Sequence, residues 1–406
     1  MKKFLAMLLA VVMVLSMVAC SKQPAEDPNK GKDDPNQTET ITNPDQINDE
    51  MTSEDGKYEI AFITDVGQLK DKSFNQGTFD GVKLYAANNK LSYKYYQPAN
   101  KDQATDDDRY EAMKAAVENG AKVVVCAGFM QEGALRMAAK EFPNVSFVFV
   151  DGYPITEEAG VDGSPVLKNV AGIAFKEEQC GYLAGYAVVK EGFTKLGFTG
   201  GGGGTNPACC RYGYGFVQGA DAAAVEMGIA DQVVMEYAYG NQFYGDSDIT
   251  AYMDNWYQTL GVEVVFASGG GIYTSAAEAA AKVGGKLIGV DVDQSANIDT
   301  YGEGMCVTSA MKGLAETVKH MLGEVVAGNF ANYGGQVETL GLVNGDDPTA
   351  NYVQLPMETT QWGDGFTQDD YKALVKAMYD GDVTVSNDIS AMPATTITVN
   401  FAGNIK

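Results

Sequence analysis

Short apolar stretches alternate with longer amphipathic stretches along most of the chain. The short stretches are rich in valine, isoleucine and aromatic residues, which predicts buried strands, and the longer ones have the spacing of helices with one apolar face. The predicted strands are 58–63, 93–96, 122–126, 145–150, 195–199, 233–237, 262–266 and 287–290, and the predicted helices lie near 74–88, 107–119, 131–141, 177–190, 213–227, 247–260 and 273–283. This alternation is typical of βαβ units and parallel sheets.

The alternation is interrupted once, at a strand-like stretch within 169–176 that we interpret as a crossover into a second lobe. A strand at 305–309 and a long helix at 310–327 are then predicted to return to the first lobe. The fold class predicted is therefore α/β, with two doubly wound lobes whose parallel sheets are joined by hinge crossovers. Lobe 1 would comprise 57–171 with about 305–330, and lobe 2 would comprise 172–304.

The C-terminal segment, 331–406, is harder to place. Stretches at 336–343 and 395–401 have the composition of strands, and 369–379 has the spacing of a helix. The pattern assigns none of these elements to a lobe.

The N-terminus has the pattern of a bacterial secretory signal. Lys2 and Lys3 precede an apolar run at 4–18, which is shorter than the roughly twenty residues that span a bilayer, and a small residue precedes Cys20. We expect a signal peptide at 1–19 and a lipidated Cys20 as the mature N-terminus, with a signal peptide cut elsewhere as the alternative. The polar stretch that follows is expected to be a disordered tether, in which residues 21–56 would span roughly 30–36 Å.

Composition excludes several classes of function. The net charge is −25, from 29 basic and 54 acidic residues, and no block of lysine or arginine offers a surface for nucleic acid. The single histidine, His320, excludes histidine-rich zinc sites and argues against a Ser–His–Asp triad. Five cysteines remain after Cys20, and their wide spacing predicts reduced, buried side chains. We therefore expect no metal, no cofactor and no catalytic residue.

The loop after the first predicted strand carries the most informative chemistry. It begins at Asp65 and opens into a helix that starts with Ser73, Phe74 and Asn75. Asp65 and Asn75 can read ligand hydroxyls or the edge of a base, and Phe74 offers an aromatic face at the end of a strand, where open α/β sheets bind ligands. The alternative is local: Ser73 would cap the helix and Phe74 would pack beneath it.

This loop, Asp-x-Gly-x-x-x-Asp-Lys-Ser-Phe-Asn-Gln, resembles the basic membrane protein family of purine-nucleoside-binding lipoproteins of bacterial ABC importers. Further similar segments follow in the family's order over about residues 58–320, including the Val-Asp-Gly that ends a strand at 152 and the Gly-Val-Asp that ends at 291. The resemblance implies a fold like the type I periplasmic binding proteins. It also implies capture of guanosine, inosine or adenosine outside the cell membrane, attachment to that membrane through lipid, and delivery to an ABC permease.

Carboxylates and glycines occupy the predicted strand ends, at Asp65, Gly128-Phe129, Asp151, 269–271 and Asp291. A carboxylate is the acceptor best suited to the vicinal hydroxyls of a sugar. The resemblance implies that Asp291 binds ribose, that Phe74 stacks on the base, and that Lys312 reaches the ribose side. As a residue on its own, Lys312 could equally be a surface lysine at a helix start.

Two positions of the resemblance stay open. Phe243 is the candidate for the second stacking ring, with Tyr244 as its rival, and Glu132 or Gln131 would replace an aspartate with which the family reads the purine edge. The preferred purine is therefore not determined. The predicted ligand-binding residues are Asp65, Phe74, Asn75, Phe129, Glu132, Phe243, Gly270, Asp291 and Lys312.

The glycine run at 200–204 lacks the Gly-Lys-[Ser/Thr] of a phosphate loop and is expected to line a hinge.

Three functions agree with these observations. We predict a solute-binding lipoprotein rather than an enzyme. The alternatives are a receptor for another small ligand such as a sugar, and a nucleoside hydrolase. The hydrolase would need a carboxylate cluster that holds calcium or another group that activates the nucleophile, and Asp65, Asp291 and Asp293 could be mistaken for such a cluster.

Overall fold

The computed structural model describes residues 40–65 and 68–405, so the predicted signal peptide and Cys20 lie outside the described residues. The first half of the described chain contains β1 (Ile60–Ile63), α1 (Phe74–Asn89), β2 (Tyr93–Tyr96), α2 (Asp106–Glu118), β3 (Val123–Ala127), α3 (Glu132–Glu141), β4 (Ser146–Val150), β5 (Val170–Phe175), α4 (Glu177–Lys190), β6 (Lys195–Gly200) and α5 (Pro207–Met227).

The second half contains β7 (Val234–Tyr239), α6 (Ser247–Asn255), β8 (Val264–Ser268), α7 (Tyr273–Ala281), β9 (Lys286–Asp291), α8 (Ser295–Ile298), β10 (Cys306–Lys312), α9 (Leu314–Val326), β11 (Val337–Leu340), β12 (Val353–Gln354), α10 (Gln368–Asp380) and β13 (Thr398–Asn404). The predicted strands and helices are confirmed. The main differences are α5, which starts at Pro207 because Asn206 caps it and proline is tolerated in the first turn, and α6, which continues as one π turn.

Two parallel sheets form the two lobes. The first has the strand order β11-β5-β4-β3-β1-β2, and the second has the order β12-β10-β9-β8-β6-β7-β13, in which only β12 is antiparallel to its neighbour. The strand order reverses between β1 and β3 in the first sheet and between β6 and β8 in the second. Ligands of such sheets bind in a crevice beyond the strand ends at this reversal. In each lobe, this crevice faces the other lobe.

The lobe boundaries differ from those predicted. The stretch at 170–175 is strand β5, which pairs with β4 and belongs to lobe 1, and β10 pairs with β9 and belongs to lobe 2. The chain therefore crosses between lobes at 176 and at 313, rather than at 172 and 305. It crosses a third time at 341–352, between β11 and β12. These three segments are called the hinge below.

The C-terminal segment serves both lobes. Its first strand, β11, extends the first sheet, whereas β12 and β13 cover the two edges of the second sheet. Helix α10 packs on α4 of lobe 2. Two of its strands and its helix were predicted from the sequence. The lobe that each element joins depends on strand pairing and packing with distant segments, which the sequence pattern does not specify.

Part of the expected tether is attached to lobe 1. Ile41 exchanges hydrogen bonds with Asn88, and the buried Lys83 of α1 donates to the Pro44 carbonyl and to the Asp49 carboxylate. A buried ammonium must be paired, and Lys83 obtains two of its partners from this segment and a third, Asp80 at 3.0 Å, from α1 itself. The expectation of a free chain up to residue 56 is therefore wrong for residues 41–50.

Helices α4 and α5 approach each other closely enough for their backbones to touch. A Cβ atom on Gly181 of α4 would lie 2.1 Å from the Tyr212 carbonyl oxygen, and one on Gly219 of α5 would lie 2.0 Å from the Tyr182 carbonyl oxygen. Only glycine permits this distance. The contact fixes the first turns of α5 beside the start of α4, at the hinge.

Among the described residues, no helix is both long and apolar enough to cross a membrane.

Candidate functional site

A cleft between the two lobes contains a cavity of about 40 Å³ in this closed arrangement. Lobe 1 contributes the ends of β1, β3 and β4 and the start of α1, and lobe 2 contributes the ends of β8, β9 and β10, the loop after β7 and the start of α5. Seven of the predicted residues line it: Asp65, Phe74, Asn75, Phe243, Gly270, Asp291 and Lys312.

The lobe 1 wall is organised by Asp71. Its carboxylate accepts hydrogen bonds from the backbone N–H groups of Ser73 (2.9 Å), Asn75 (2.9 Å) and Gln76 (3.1 Å). Asp71, not Ser73, therefore satisfies the first N–H groups of α1, and the alternative in which Ser73 caps this helix is wrong. Burial raises the pKa of Asp71 to about 7, and the N–H donors oppose this rise because they favour the carboxylate.

Ser73 instead joins the two lobes. Its hydroxyl donates to Asp291 Oδ2 at 2.6 Å, and the neighbouring Lys72 carbonyl accepts from Gln294 Nε2 at 2.9 Å. Nearer the mouth of the cleft, the Tyr244 hydroxyl donates to Asp102 at 3.2 Å. These bonds hold the lobes together in a closed arrangement.

Asn75 and Asp65 are hydrogen-bonded to each other. The amide Nδ2 of Asn75 lies 3.1 Å from Asp65 Oδ1. Gly128 is required beneath them, because a Cβ atom there would lie 2.2 Å from Asp65 Oδ2. The buried Gln131 supports the same strand end by donating to the carbonyls of Ile63 and Thr64, at 3.3 and 2.9 Å.

Lys312 lies at the centre of a buried group of charges. Its Nζ atom is 2.7 Å from Asp151, 3.3 Å from Glu177 and 3.7 Å from Asp291. Its side chain is 1% exposed, so the alternative of a surface lysine is wrong. Residue 312 ends strand β10 and does not start a helix. Burial alone would lower the pKa of Lys312, but the three carboxylates raise it above its ordinary value.

A second cation completes this group at the hinge. Arg211 Nε lies 2.6 Å from Glu177 Oε2, while Arg211 Nη1 lies 3.4 Å from the Tyr153 hydroxyl. Glu177 directly follows the first crossing and Lys312 directly precedes the second. Carboxylates from both lobes thus share one lysine beside the segments about which the lobes would move. Burial raises the pKa of Asp151 to about 6, and Lys312 limits the rise.

Phe74 and Phe243 line the cleft from opposite lobes. The Phe243 ring packs on glycines: a Cβ atom would lie 2.5 Å from the ring at Gly201 and 2.7 Å from it at Gly202. The glycine run at 200–204 therefore makes room for an aromatic ring, and its predicted place at a hinge is wrong. The rival Tyr244 is 43% exposed and lies at the mouth of the cleft, outside the cavity that Phe243 lines.

Two predicted residues lie elsewhere. The Glu132 carboxylate pairs with Arg136 on the surface of α3, at 2.7 Å, and its side chain is 57% exposed. Phe129 follows Gly128 in a single 3₁₀ turn, and only Gly128 of this pair lines the cleft. Asp293, a candidate calcium ligand, accepts hydrogen bonds from the Ser295 N–H and the Thr359 hydroxyl instead. Within 40–65 and 68–405, no cluster of three or more His, Cys, Asp or Glu side chains could hold a metal.

Several lining residues were missed by the sequence reading, chiefly those on α5. Asn206 caps that helix by accepting from the Cys209 N–H at 3.0 Å, and Cys209 and Tyr212 follow on the face that lines the cleft. The signal was present: Asn-Pro is a helix start, and positions three and six residues later lie on one face. The glycines at 213 and 215 concealed it by suggesting a later start.

Four buried polar atoms in the lining have no hydrogen-bond partner among the described residues. They are Asn75 Oδ1, Asp151 Oδ1, the Tyr212 hydroxyl and Ser268 Oγ. Leaving such a group unsatisfied costs about 1–3 kcal/mol, so unpaired atoms gathered at one cleft indicate where a polar ligand would bond.

Comparison with known proteins gives a consistent result. Residues 58–346 match the sequence model of the Bmp family, described as ABC transporter substrate-binding protein PnrA-like. The ABC transporter nucleoside-binding protein BmpA of Lactococcus lactis subsp. cremoris (strain MG1363) is 27% identical over 303 residues, which cover 70% of this chain and 79% of that protein. Basic membrane protein B of Borreliella burgdorferi (strain ATCC 35210 / DSM 4680 / CIP 102532 / B31) is 27% identical over 305 residues, covering 73% and 81%.

Solved structures show the same fold. A solute-binding protein of an ABC transporter system from Conexibacter woesei DSM 14684 superposes with a TM-score of 0.60 at 21% identity, covering 81% of this chain and 99% of that one. A second, from Aeropyrum pernix K1, superposes with a TM-score of 0.58 at 21% identity, covering 82% and 88%. The two-lobed α/β architecture is thus that of the type I solute-binding proteins, as the sequence predicted.

Proposed function

Because the chain belongs to the Bmp family of ABC transporter substrate-binding proteins, we propose that it captures a purine nucleoside in the interlobe cleft and delivers it to an ABC permease. One observation carries the proposal: Phe74 and Phe243 line the cleft from opposite lobes, and Asp291 and Lys312 lie in the same lining. A ligand with a flat base and vicinal hydroxyls fits this set. The printed name of the Lactococcus relative, a nucleoside-binding protein, supports the same class.

The chemistry of recognition follows from these side chains. Stacking of the base on the two rings contributes about 0.5–1.5 kcal/mol per ring beyond the burial of area. The Asp291 carboxylate accepts from the vicinal ribose hydroxyls. Burial raises the pKa of Asp291, and the neighbouring Lys312 limits this rise. Guanosine, inosine and adenosine share these features, and the residue that reads the purine edge is not Glu132.

Closure follows from contributions by both lobes. The ligand would contact Phe74 and Asn75 of lobe 1 and Phe243 and Asp291 of lobe 2, so its contacts are complete only when the lobes are together. Such a ligand stabilises the closed form by its difference in affinity for the two states. The hinge charges around Lys312 are the groups whose pairing this motion would change.

We further propose that the protein acts on the outer face of the cell membrane, anchored by lipid on Cys20. The charged start, the apolar run and the small residue before the cysteine support this placement. Mass spectrometry of the membrane-extracted protein should find a diacylated or triacylated Cys20 as the first residue. An N-terminus elsewhere, in protein released to the medium, would refute the anchor.

A thermal-shift panel of nucleosides, bases and sugars tests the ligand class. A nucleoside present at one hundred times its dissociation constant should add about 2.7 kcal/mol to the free energy of unfolding. If the three purine nucleosides leave the melting temperature unchanged while a sugar raises it, the sugar-receptor alternative is correct. Release of free base from inosine during incubation would instead favour the hydrolase.

A further inference from the structure

Two of the unpaired polar atoms lie on side chains that surround Lys312. The Tyr212 side chain is buried, 2% exposed, and its ring centroid is 5.8 Å from Lys312 Nζ. Asp151, at the end of β4, uses Oδ2 to accept from Lys312 at 2.7 Å and leaves Oδ1 without a partner. One atom comes from lobe 2 and the other from lobe 1, and both residues line the cleft.

The two atoms have complementary hydrogen-bonding roles. Burial raises the pKa of Tyr212 well above its ordinary value, so the phenol keeps its proton and can donate. The Asp151 carboxylate, paired with Lys312 on one side, offers its other oxygen as an acceptor. A donor and an acceptor that line the same cleft suit a hydroxyl group, which accepts and donates at once, better than they suit a carbonyl, which only accepts.

We propose that Asp151 Oδ1 and the Tyr212 hydroxyl form a second hydroxyl subsite, which takes the 5′-hydroxyl of the bound ribose. This assignment rests on the proposed function, in which Asp291 takes the vicinal 2′- and 3′-hydroxyls and leaves the 5′-hydroxyl as the one sugar hydroxyl without a partner. Because its two halves belong to different lobes, the subsite is complete only in the closed cleft.

The backbone supports the placement of the acceptor. Asp151 has a left-handed conformation, with φ of 57°, and Asp291 at the end of β9 has the same conformation, with φ of 66°. Such a conformation is uncommon for residues other than glycine and turns the side chain away from the strand direction. The same device thus aims one carboxylate from each lobe at Lys312, and the ligand hydroxyls divide between them.

The test is a cycle of two changes, Tyr212→Phe and removal of the 5′-hydroxyl from the ligand. Calorimetry would measure inosine and 5′-deoxyinosine on the unmodified protein and on the variant. Tyr212→Phe should weaken inosine about two- to tenfold, the value of one hydrogen bond, and should leave 5′-deoxyinosine nearly unchanged. The melting temperature without ligand should not fall, because the hydroxyl that is removed has no partner.

Tyr371→Phe is the matched control. Tyr371 is also buried, but its hydroxyl accepts from the Leu355 N–H at 2.8 Å, away from the cleft. This variant should lower the melting temperature without ligand and leave the affinity for inosine unchanged, the opposite of the result expected for Tyr212→Phe.

The outcomes separate this proposal from the proposed function. If the unmodified protein binds inosine and Tyr212→Phe binds it equally well, or loses the same factor for inosine and 5′-deoxyinosine, the 5′-hydroxyl subsite is refuted while the nucleoside function stands. If the unmodified protein binds no nucleoside, the function fails and the subsite assignment fails with it.

Discussion

The two lobes hold their aromatic side chains in the cleft by different physical means. In lobe 1, Asp71 accepts a fan of backbone N–H groups and so fixes the turn that presents Phe74. In lobe 2, glycines at 201 and 202 remove side chains from the volume that the Phe243 ring occupies. The lobe 1 wall depends on the hydrogen bonds of the Asp71 carboxylate, and the lobe 2 wall depends on the absence of side chains at 201 and 202. The first should therefore be sensitive to lost hydrogen bonds and the second to added volume.

Lys312 ends β10 of lobe 2 and pairs with carboxylates from both lobes. We expect Lys312→Met to lower the free energy of unfolding by about 3–5 kcal/mol, because it leaves buried carboxylates without their cation. Chemical denaturation measures this. Lys282→Met is the control, since Lys282 pairs with Asp254 while 47% exposed and should change stability by at most about 1 kcal/mol. Equal effects of the two variants would show that the hinge charges do not depend on Lys312.

The two walls are joined at Asp291, whose carboxylate accepts a hydrogen bond from the Ser73 hydroxyl. Asp291→Asn keeps a residue that tolerates the left-handed backbone and removes the charge that we propose binds ribose. Affinity for inosine should fall about tenfold to a hundredfold, which corresponds to roughly 1.5–3 kcal/mol, and the preference over 2′-deoxyinosine should shrink. Calorimetry of the four combinations measures both.

Asp293→Asn serves as the control for that cycle, because its carboxylate bonds outside the cleft and its loss should leave affinity unchanged. A preserved ribose preference in Asp291→Asn would show that another residue reads the sugar.

Gly201→Ala tests the wall of lobe 2. The new methyl group would meet the Phe243 ring at 2.5 Å, so the ring must move and the affinity for nucleoside should fall by an amount on the order of 1–3 kcal/mol. Gly271→Ala is the matched change on the same wall, because its methyl group would have 3.7 Å to the nearest atoms. If titration shows that Gly201→Ala binds the nucleoside with unchanged affinity, the glycines do not position the ring.

Asp71→Ala tests the wall of lobe 1. Losing the cap should cost about 0.5–2 kcal/mol of stability and should also weaken nucleoside binding, because Phe74 and Asn75 follow directly in the same turn. Thr367→Ala removes the cap of α10, far from the cleft, and should cost similar stability with no loss of affinity. Thermal melts with and without inosine distinguish the two variants. Unchanged affinity in Asp71→Ala would remove the contrast between the walls.

The strand ends show how far the sequence reading reached. The structure places Asp65, Phe74, Asn75, Gly270 and Asp291 in the cleft lining, as predicted, because each lies at or after the end of an apolar strand and that pattern is local. Glu132 was wrong because its position was inferred by substitution in the resemblance, whereas in the structure its helix turns it toward Arg136 and solvent. Tyr212 was missed because α5 begins earlier than its glycines suggest.

What the sequence determined by itself is therefore the order and type of nearly all elements, the two-lobed class and the loops that carry the chemistry. Each of these depends on periodicity or turn residues within a few positions. The tertiary structure alone decided the lobe of β5 and β10, the partners of Lys312 and the glycine bed of Phe243. An apolar run records that a strand is buried but not which sheet it joins, and the bond from Ser73 to Asp291 joins residues 218 positions apart. Such contacts form only when distant segments meet, because their free energy comes from neighbours that the local pattern does not specify.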